Sequence, residues 1–539
     1  MLRKIAIFLL AFVFLFGYSS FASYARSAAK PKKTEQQKIV LLFDNDVHGH
    51  VEGYPMISAV RGYSLTETPH VSLISLGDFA QGGVYCAADK GIGITTLMNK
   101  AGYDLITLGN HEFDYGIAQL DTILQCLNAE AICCNFEDLR THKTYLEPST
   151  VRTFGNIRIG FIGMVSPLTE TSDSPKSYYD ENGKKIYSFH SGDLFNIVQQ
   201  EVDKLHAKGV DYVIALSHLG DNSYVANNSI ALINKTKGID AVLDSHAHTY
   251  IPNSKIQNIE GDSVLLISTG CWFKNIGKLT ITPDGKFIPE MIPTEGFDRT
   301  DANIALTIDS LHNSFDHTPV LATCNFNLNG FDIAETYDRN SQTNLGTLAA
   351  DALRITTGAD IGWINAGGIR NSIPAGEIRF KDLISCFPFF NTICVAECSG
   401  QIILDALEYG VNRYPYDFGS FPQVSGIKYK LDPSIPSPVM MDVQERLIGI
   451  KDGPRRISDV RILDPYTDQY DPLDPAKTYR LATIDFLLKY QGAGDVFNQA
   501  KIVEDGGFND VQNLEEYIVL ELFGRIDERY EFVKKNMDE

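Results

Sequence analysis

The sequence predicts a layered α/β protein built from two domains, and two observations carry that expectation. Between residue 38 and about residue 282, short apolar runs rich in β-branched residues alternate with amphipathic segments, the pattern of buried strands between helices. A length of 539 residues with 44% apolar and 21% charged residues is globular in composition and matches two large domains.

Taken in order, residues 1–25 read as a secretory signal. Arg3 and Lys4 precede an unbroken apolar run at 5–16, and Ser23-Tyr24-Ala25 offers a cleavage site. Such a run is short for a membrane span. The expectation is export to the periplasm or extracellular space, with no membrane anchor after cleavage. The runs at 39–43, 71–76, 105–108, 157–164, 212–216, 241–243 and 264–268 read as strands of a first domain spanning 38–295. Ile117, Leu120, Leu124 and Leu127 recur at helical spacing, as do Phe195, Val198, Val202 and Leu205. Residues 300–317 read as a connecting helix within a linker at 296–320, with Ala302, Leu306, Ile308 and Leu311 on its apolar side. Beyond it the Pro- and Asp-rich stretches 432–438 and 464–475 mark a second domain, 321–539, whose charged tail 531–539 is helical in pattern.

Lys and Arg number 47 against 68 Asp and Glu, a net charge of −21. Repulsion of that size excludes a nucleic acid polymer as partner but not a small anion held by metal ions. The nine cysteines are odd in number, match no zinc-knuckle spacing and fall mostly in apolar runs, so they read as buried hydrophobes with at most one or two bridges.

Metal-ligand residue types appear where the apolar runs end. Asp46 and His48 follow the first, Gly77-Asp78 the second, and Gly109-Asn110-His111-Glu112-Phe113-Asp114 the third. Ser217-His218 and Ser245-His246-Ala247-His248 close two later ones. Layered α/β folds bind ligands beyond the carboxyl ends of their strands, so five strand ends point these groups to one place. Asp46, Asp78, Asn110, His48, His218, His246 and His248 form an oxygen and nitrogen set without thiolate, suited to zinc, manganese or iron. Seven ligands exceed one open tetrahedral site, so two divalent metal ions sharing Asp78 is the economical arrangement. Two metals about 3.5 to 4 Å apart acidify a water and clamp phosphoryl oxygens, which predicts hydrolysis of a phosphate ester.

In this order the motifs resemble those of the calcineurin-like metallophosphoesterases and, within them, the secreted 5′-nucleotidase family. The resemblance implies a four-layered α/β/β/α metallophosphoesterase domain followed by an α/β substrate-binding domain that rotates to carry nucleotide to the metals. It implies Asp46, His48, Asp78 and His248 around one metal and Asp78, Asn110, His218 and His246 around the other. His111, oriented by Asp114, would be the catalytic dyad, with Glu112 outside the catalytic set. This chain departs from the family in having Asp244-Ser245, where glycines usually precede the paired histidines.

In the second half Arg339 precedes Asn344-Leu345-Gly346, and Asn365-Ala366-Gly367-Gly368-Ile369-Arg370 resembles the family's glycine-rich loop, implying that Asn365 and Arg370 reach the nucleotide. Pro388-Phe389-Phe390-Asn391-Thr392 resembles the loop that supplies one aromatic wall of a base clamp, Phe389, with Asn391 beside it. The resemblance leaves the opposite wall to Tyr490, to Phe486 or to neither, because Lys489 stands where the family has its aromatic. Asp495 in Gly492-Ala493-Gly494-Asp495 would accept the ribose hydroxyls. The expected function is an exported hydrolase of nucleoside 5′-phosphates. Alternatives are a 2′,3′-cyclic nucleotide phosphodiesterase, a UDP-sugar diphosphatase, or a non-catalytic nucleotide-binding protein.

Overall fold

The first apolar run, Ile39–Asp44, is buried along its whole length and divides its side chains between two cores. Ile39, Leu41 and Phe43 join Ile74, Phe161, Ile214 and Ile267 in one cluster, whereas Val40 and Leu42 join Tyr54, Ile57, Ile94 and Leu97 in another. Successive side chains of a strand point to opposite faces, so a strand packed on both faces must be apolar throughout.

The computed structural model describes residues 38–538 apart from 173–174, 316–317, 332–338, 443, 491 and 532–536. The signal-like segment and most of the charged tail therefore lie outside the described residues; Met537–Asp538 form a short strand beside Ile427–Leu431. The first half contains two six-stranded sheets. One runs in the order Phe287–Pro293, Asn275–Ile281, Ile39–Asp44, Val71–Ser75, Leu105–Thr107, Glu130–Ile132. The other runs Tyr250–Gln257, Ser263–Thr269, Ala241–Leu243, Tyr212–His218, Ile157–Val165, Ser149–Phe154. Both have a parallel centre; the second pairs antiparallel at both edges, whereas the first does so at one edge only, because Leu105–Thr107 and Glu130–Ile132 run parallel. The inner faces pack on each other, Gly53–Glu67 and Ile92–Ala101 cover one outer face, and Leu194–Ala207 and Ser229–Lys235 cover the other. This is the helix/sheet/sheet/helix order expected.

The second half centres on a five-stranded sheet in the order Pro422–Ser425, Ile361–Asn365, Thr478–Ile484, Thr392–Ser399, Lys501–Asn509. Ile361–Asn365 runs parallel to Thr478–Ile484, and Thr392–Ser399 runs antiparallel to it with Ile393 opposite Ile484. The register therefore brings the loops after Asn365, before Thr392 and after Ile484 to one end of the sheet. No sheet among the described residues mixes strands from the two halves.

One expectation needs correction, and the cysteines behave as the buried hydrophobes expected. In the helix Ala302–Phe315 the buried stripe is Ile304 and Ile308, with Leu311 packed beside them; Ala302 is exposed and Leu306 is 66% exposed. Spacings of four and three keep 304, 308 and 311 on one face and turn 306 away. The cysteines form no bridge: all nine are free and eight are buried.

Phe161 lies wholly buried between the two sheets. Phe161→Ala is expected to lower unfolding stability by about 3–5 kcal/mol, read as a reduced denaturant midpoint with an unchanged slope.

Candidate functional site

The strand ends converge as expected, and the backbone is forced there. Asp46, His48, Asp78, His246 and His248, five of the seven candidate ligands, have φ between 47° and 77°. Non-glycine residues seldom adopt that region, and each costs about 1–3 kcal/mol that the surrounding packing must offset. Gly77 and Gly109 permit the tightest approach. A Cβ on Gly77 would lie 2.1 Å from the Gly109 nitrogen, and one on Gly109 would lie 2.2 Å from Asp78 Oδ1.

The side chains meet in two groups, bridged by a third in which His48 and Asp78, one from each, lie together with His111. Asp46, His48 and His248 form one, with His248 Nε2 3.1 Å from His48 Nε2 and 3.7 Å from Asp46 Oδ1. Asp78, His218 and His246 form the other, with His218 Nε2 3.1 Å from Asp78 Oδ2. Asn110 Oδ1 lies 3.2 Å from His218 Nε2 and 2.8 Å from His246 Nδ1. Asp78 Oδ2, 3.7 Å from His48 Nε2, stands between the groups. The unusual Asp244-Ser245 pair supports this side: Ser245 Oγ is 2.8 Å from His218 Nδ1, and Asp244 takes Ser229 Oγ at 2.6 Å. His218 Nδ1 donates to the Leu76 carbonyl at 2.7 Å, which turns Nε2 toward the cluster.

The charges suit divalent cations. Burial disfavours charge on His218, but Asp78 and Asp46 beside it hold its imidazole up at about 10. Burial would raise Asp78, yet His218 and His111 hold it well below the usual carboxylate range. Burial pushes Asp46 up to about 8. Burial and then the charge of His218 lower His246 to about 3, while burial and then Arg370 depress His48 and His248. Near neutral pH the cluster thus balances one imidazolium against one carboxylate, with three neutral imidazoles ready to ligate. The donor set, its burial and its neutral imidazoles fit two divalent ions of the zinc or manganese type.

His111 belongs to the bridging group with His48 and Asp78, and its ring nitrogens also meet two residues outside the candidate ligands. Nδ1 donates to Asp114 Oδ2 at 2.8 Å, and Nε2 lies 3.3 Å from Arg370 Nη2, which comes from the other half of the chain. The Arg370 guanidinium lies 5.9 Å from the Phe389 ring centre. A cavity of about 1260 Å³ runs from Asp78, Asn110, His111 and His246 to the second half, where Arg339, Asn365, Arg370, Phe389, Asn391, Phe486 and Tyr490 all line it. Both candidates for the opposite aromatic wall are present, and Lys489 pairs instead with Asp505. Gly494 lines the cavity; Asp495, next to it, does not, and its carboxylate takes Asn498 Nδ2 at 3.3 Å.

Glu112, left outside the catalytic set, has a structural role, and a further contributor, Trp272, was not foreseen. Fully buried Glu112 accepts the backbone N–H groups of Asp78, Phe79, Ala80 and Gly109 at 2.7–3.0 Å, two on each oxygen. Its place within the motif was visible, but three of its four partners lie in another loop. Trp272 donates its backbone N–H to the Asp46 carbonyl at 2.8 Å and stacks on His50 with ring centres 5.5 Å apart. No motif marks it.

Two outcomes follow from this geometry. Glu112→Gln replaces an acceptor oxygen by an NH2 facing two N–H donors, and should weaken metal affinity by about 10- to 100-fold, measured by competition with a chromogenic chelator. Metal loading at pH 7 should release close to two protons, from His218 and Asp46, whose respective values of about 10 and 8 leave both protonated there. Affinity should therefore fall as pH falls, and calorimetry in buffers of different ionisation enthalpy reads the count.

The comparisons with known proteins agree with this layout. Residues 320–501 match the family model "5'-nucleotidase, C-terminal domain", and residues 75–260, which hold most of the cluster, match "Bacterial capsule synthesis protein PGA_cap". The trifunctional nucleotide phosphoesterase protein YfkN of Bacillus subtilis is 25% identical over 89% of this chain, which spans only 34% of that longer protein. The 5′-nucleotidase of Bos taurus is 25% identical over 89% of this chain and 88% of its own. The crystal structure of a 5′-nucleotidase precursor from Thermus thermophilus superposes with a TM-score of 0.78 at 25% identity, covering 93% of this chain and 99% of that one. The chain is thus similar to 5′-nucleotidases across both halves, with residues 320–501 matching their C-terminal domain and the His/Asp cluster in place.

Proposed function

We propose that the chain is an exported phosphohydrolase, dependent on two divalent metal ions, that converts nucleoside 5′-monophosphates to nucleoside and inorganic phosphate. The observation that carries this reading is one cavity: Asp78, Asn110, His246 and His248 of the cluster, the His111–Asp114 pair and Arg370 line it together with a set of aromatic rings. The reading divides the chain into a catalytic domain, 38–295, a linker, 296–320, and a nucleotide-binding domain, 321–539, preceded by a signal segment, 1–25.

Asp46, His48, Asp78 and His248 would hold one ion, and Asp78, Asn110, His218 and His246 the other. When bound, such ions supply positive charge for the phosphoryl oxygens and lower the pKa of a water. Arg370 and Arg339 offer planar donor forks to the remaining phosphate oxygens. His111 is not a ligand in this reading, because Asp114 takes Nδ1 and Nε2 faces Arg370. Once phosphate draws Arg370 away, Nε2 carries a proton toward the ester oxygen. A water oxygen bonds to phosphorus, the P–O5′ bond breaks, and O5′ leaves with that proton, while the proton shed by the water returns to Nε2; Asp114 offsets the imidazolium. Phe389 and either Phe486 or Tyr490 enclose the base, a stacking that contributes roughly 1–3 kcal/mol per base and tolerates different bases. Asn365 and Asn391 present amides to the nucleoside. A ribose contact from Asp495 requires the loop Ala493–Asp495 to turn toward the cavity.

His111→Ala should lower kcat by about 10²- to 10⁴-fold with both metals retained by elemental analysis; unchanged turnover at full metal content would sink the dyad. A phosphate-release panel of AMP, UMP, ADP, a 2′,3′-cyclic nucleotide and a UDP-sugar should show the monophosphates turned over most efficiently. Preference for the cyclic or sugar nucleotide would replace this reading, and no turnover with two metals bound would favour a binding protein.

A further inference from the structure

Beside the large cavity, on the His48 side of the cluster, a second chamber of about 230 Å³ lies between the two halves. His48, Gly49, His50, Gly82 and Gly83 line one side, and Lys381 and Ser385 of the helix Phe380–Cys386 line the other. Arg339, Arg370 and Trp272 line both spaces, so the chamber shares its cationic wall with the proposed phosphate position. Neither Lys381 nor Ser385 lines the large cavity.

The chemistry of this lining is that of an anion site. Among the described residues three cations, Arg339, Arg370 and Lys381, and two acids, Glu52 and Asp382, line the chamber, and both Arg370 and Lys381 also have partners outside it. Both acids are engaged: Asp382 Oδ2 accepts the Arg379 backbone N–H at 2.7 Å, and Glu52 Oε1 lies 3.3 Å from His312 Nε2. Arg339 carries a buried Nε donor that no group among the described residues accepts. A buried unsatisfied donor costs about 1–3 kcal/mol, more when charged, which an acceptor from solution would relieve. Size admits such a ligand: at about 30 Å³ per water the chamber has room for one tetrahedral oxyanion with a few waters.

We propose that this chamber binds a tetrahedral phosphate oxyanion beside the His/Asp cluster, receiving inorganic phosphate as it leaves the reaction centre. This use rests on the phosphohydrolase reading. The same chemistry could come from the terminal phosphate of a longer nucleotide, and the two sources separate experimentally.

The test uses the metal-loaded full chain and Lys381→Glu, with Ser385→Asp as a second variant if the first does not fold and Lys381→Arg as the conservative one. Inorganic phosphate should inhibit the Glu variant at least about tenfold less well, because a like charge now faces it. Meanwhile kcat and KM for a nucleoside monophosphate and inhibition by the nucleoside should stay within about twofold, and Lys381→Arg should restore phosphate inhibition. A raised KM for a nucleoside diphosphate, with phosphate inhibition unchanged, would assign the chamber to a terminal phosphate instead. Unchanged phosphate inhibition together with unchanged diphosphate KM in the folded Glu variant would overturn the site. Equilibrium dialysis with labelled orthophosphate needs no turnover, so it decides the chamber even if no nucleotide is hydrolysed. Loss of one bound phosphate per chain in the variant supports the site, and equal binding overturns it.

Discussion

The carboxylate of Glu112 collects four backbone amides from two loops that follow different strands, the turn at Asp78–Ala80 and the turn at Gly109. The remainder of the site depends on that grip. It holds Asp78 in a left-handed backbone conformation at the point where the two ligand groups meet, and it brings Gly109 close enough to Asp78 that only glycine fits. Asn110 and His111 follow directly in chain, so their positions derive from the same anchor. Strained ligands on both sides need a rigid reference, and a buried acceptor with four charge-assisted bonds supplies one.

Electrostatics extend the constraint outward. A chain of net charge −21 would repel a nucleotide phosphate if charge were spread evenly. The cluster avoids this by holding a single carboxylate against a single imidazolium, with Arg339 and Arg370 from the other half facing it across the cavity. Two divalent ions would then make the local field strongly positive. The surface sign and the site sign are independent, because the site is buried and assembled from few groups.

Much of this was legible along the chain for a physical reason. Each ligand type directly follows an apolar run, and a parallel strand delivers whatever follows it to one edge of its sheet, so Asp46, Asp78, Asn110, His218 and His246 could be placed without coordinates. Continuous apolar runs likewise implied sheets covered on both faces. What escaped had distant or ambiguous partners. Leu306 lies within an apolar set that reads equally well on two faces of a short helix. Trp272 belongs to no motif, and Lys489 interrupts the spacing that would choose between Phe486 and Tyr490.

The chain order of residues thus specified which groups lie at strand ends and which chemistry they can perform, since those are local properties of periodicity and residue type. How the halves meet could not be read there. The contact of Arg370 with His111 joins residues 259 apart, the four amides of Glu112 come from loops whose approach depends on sheet packing, and the cationic chamber exists only between two surfaces. Contacts of that kind are set by how whole layers dock, and no window of sequence contains both partners.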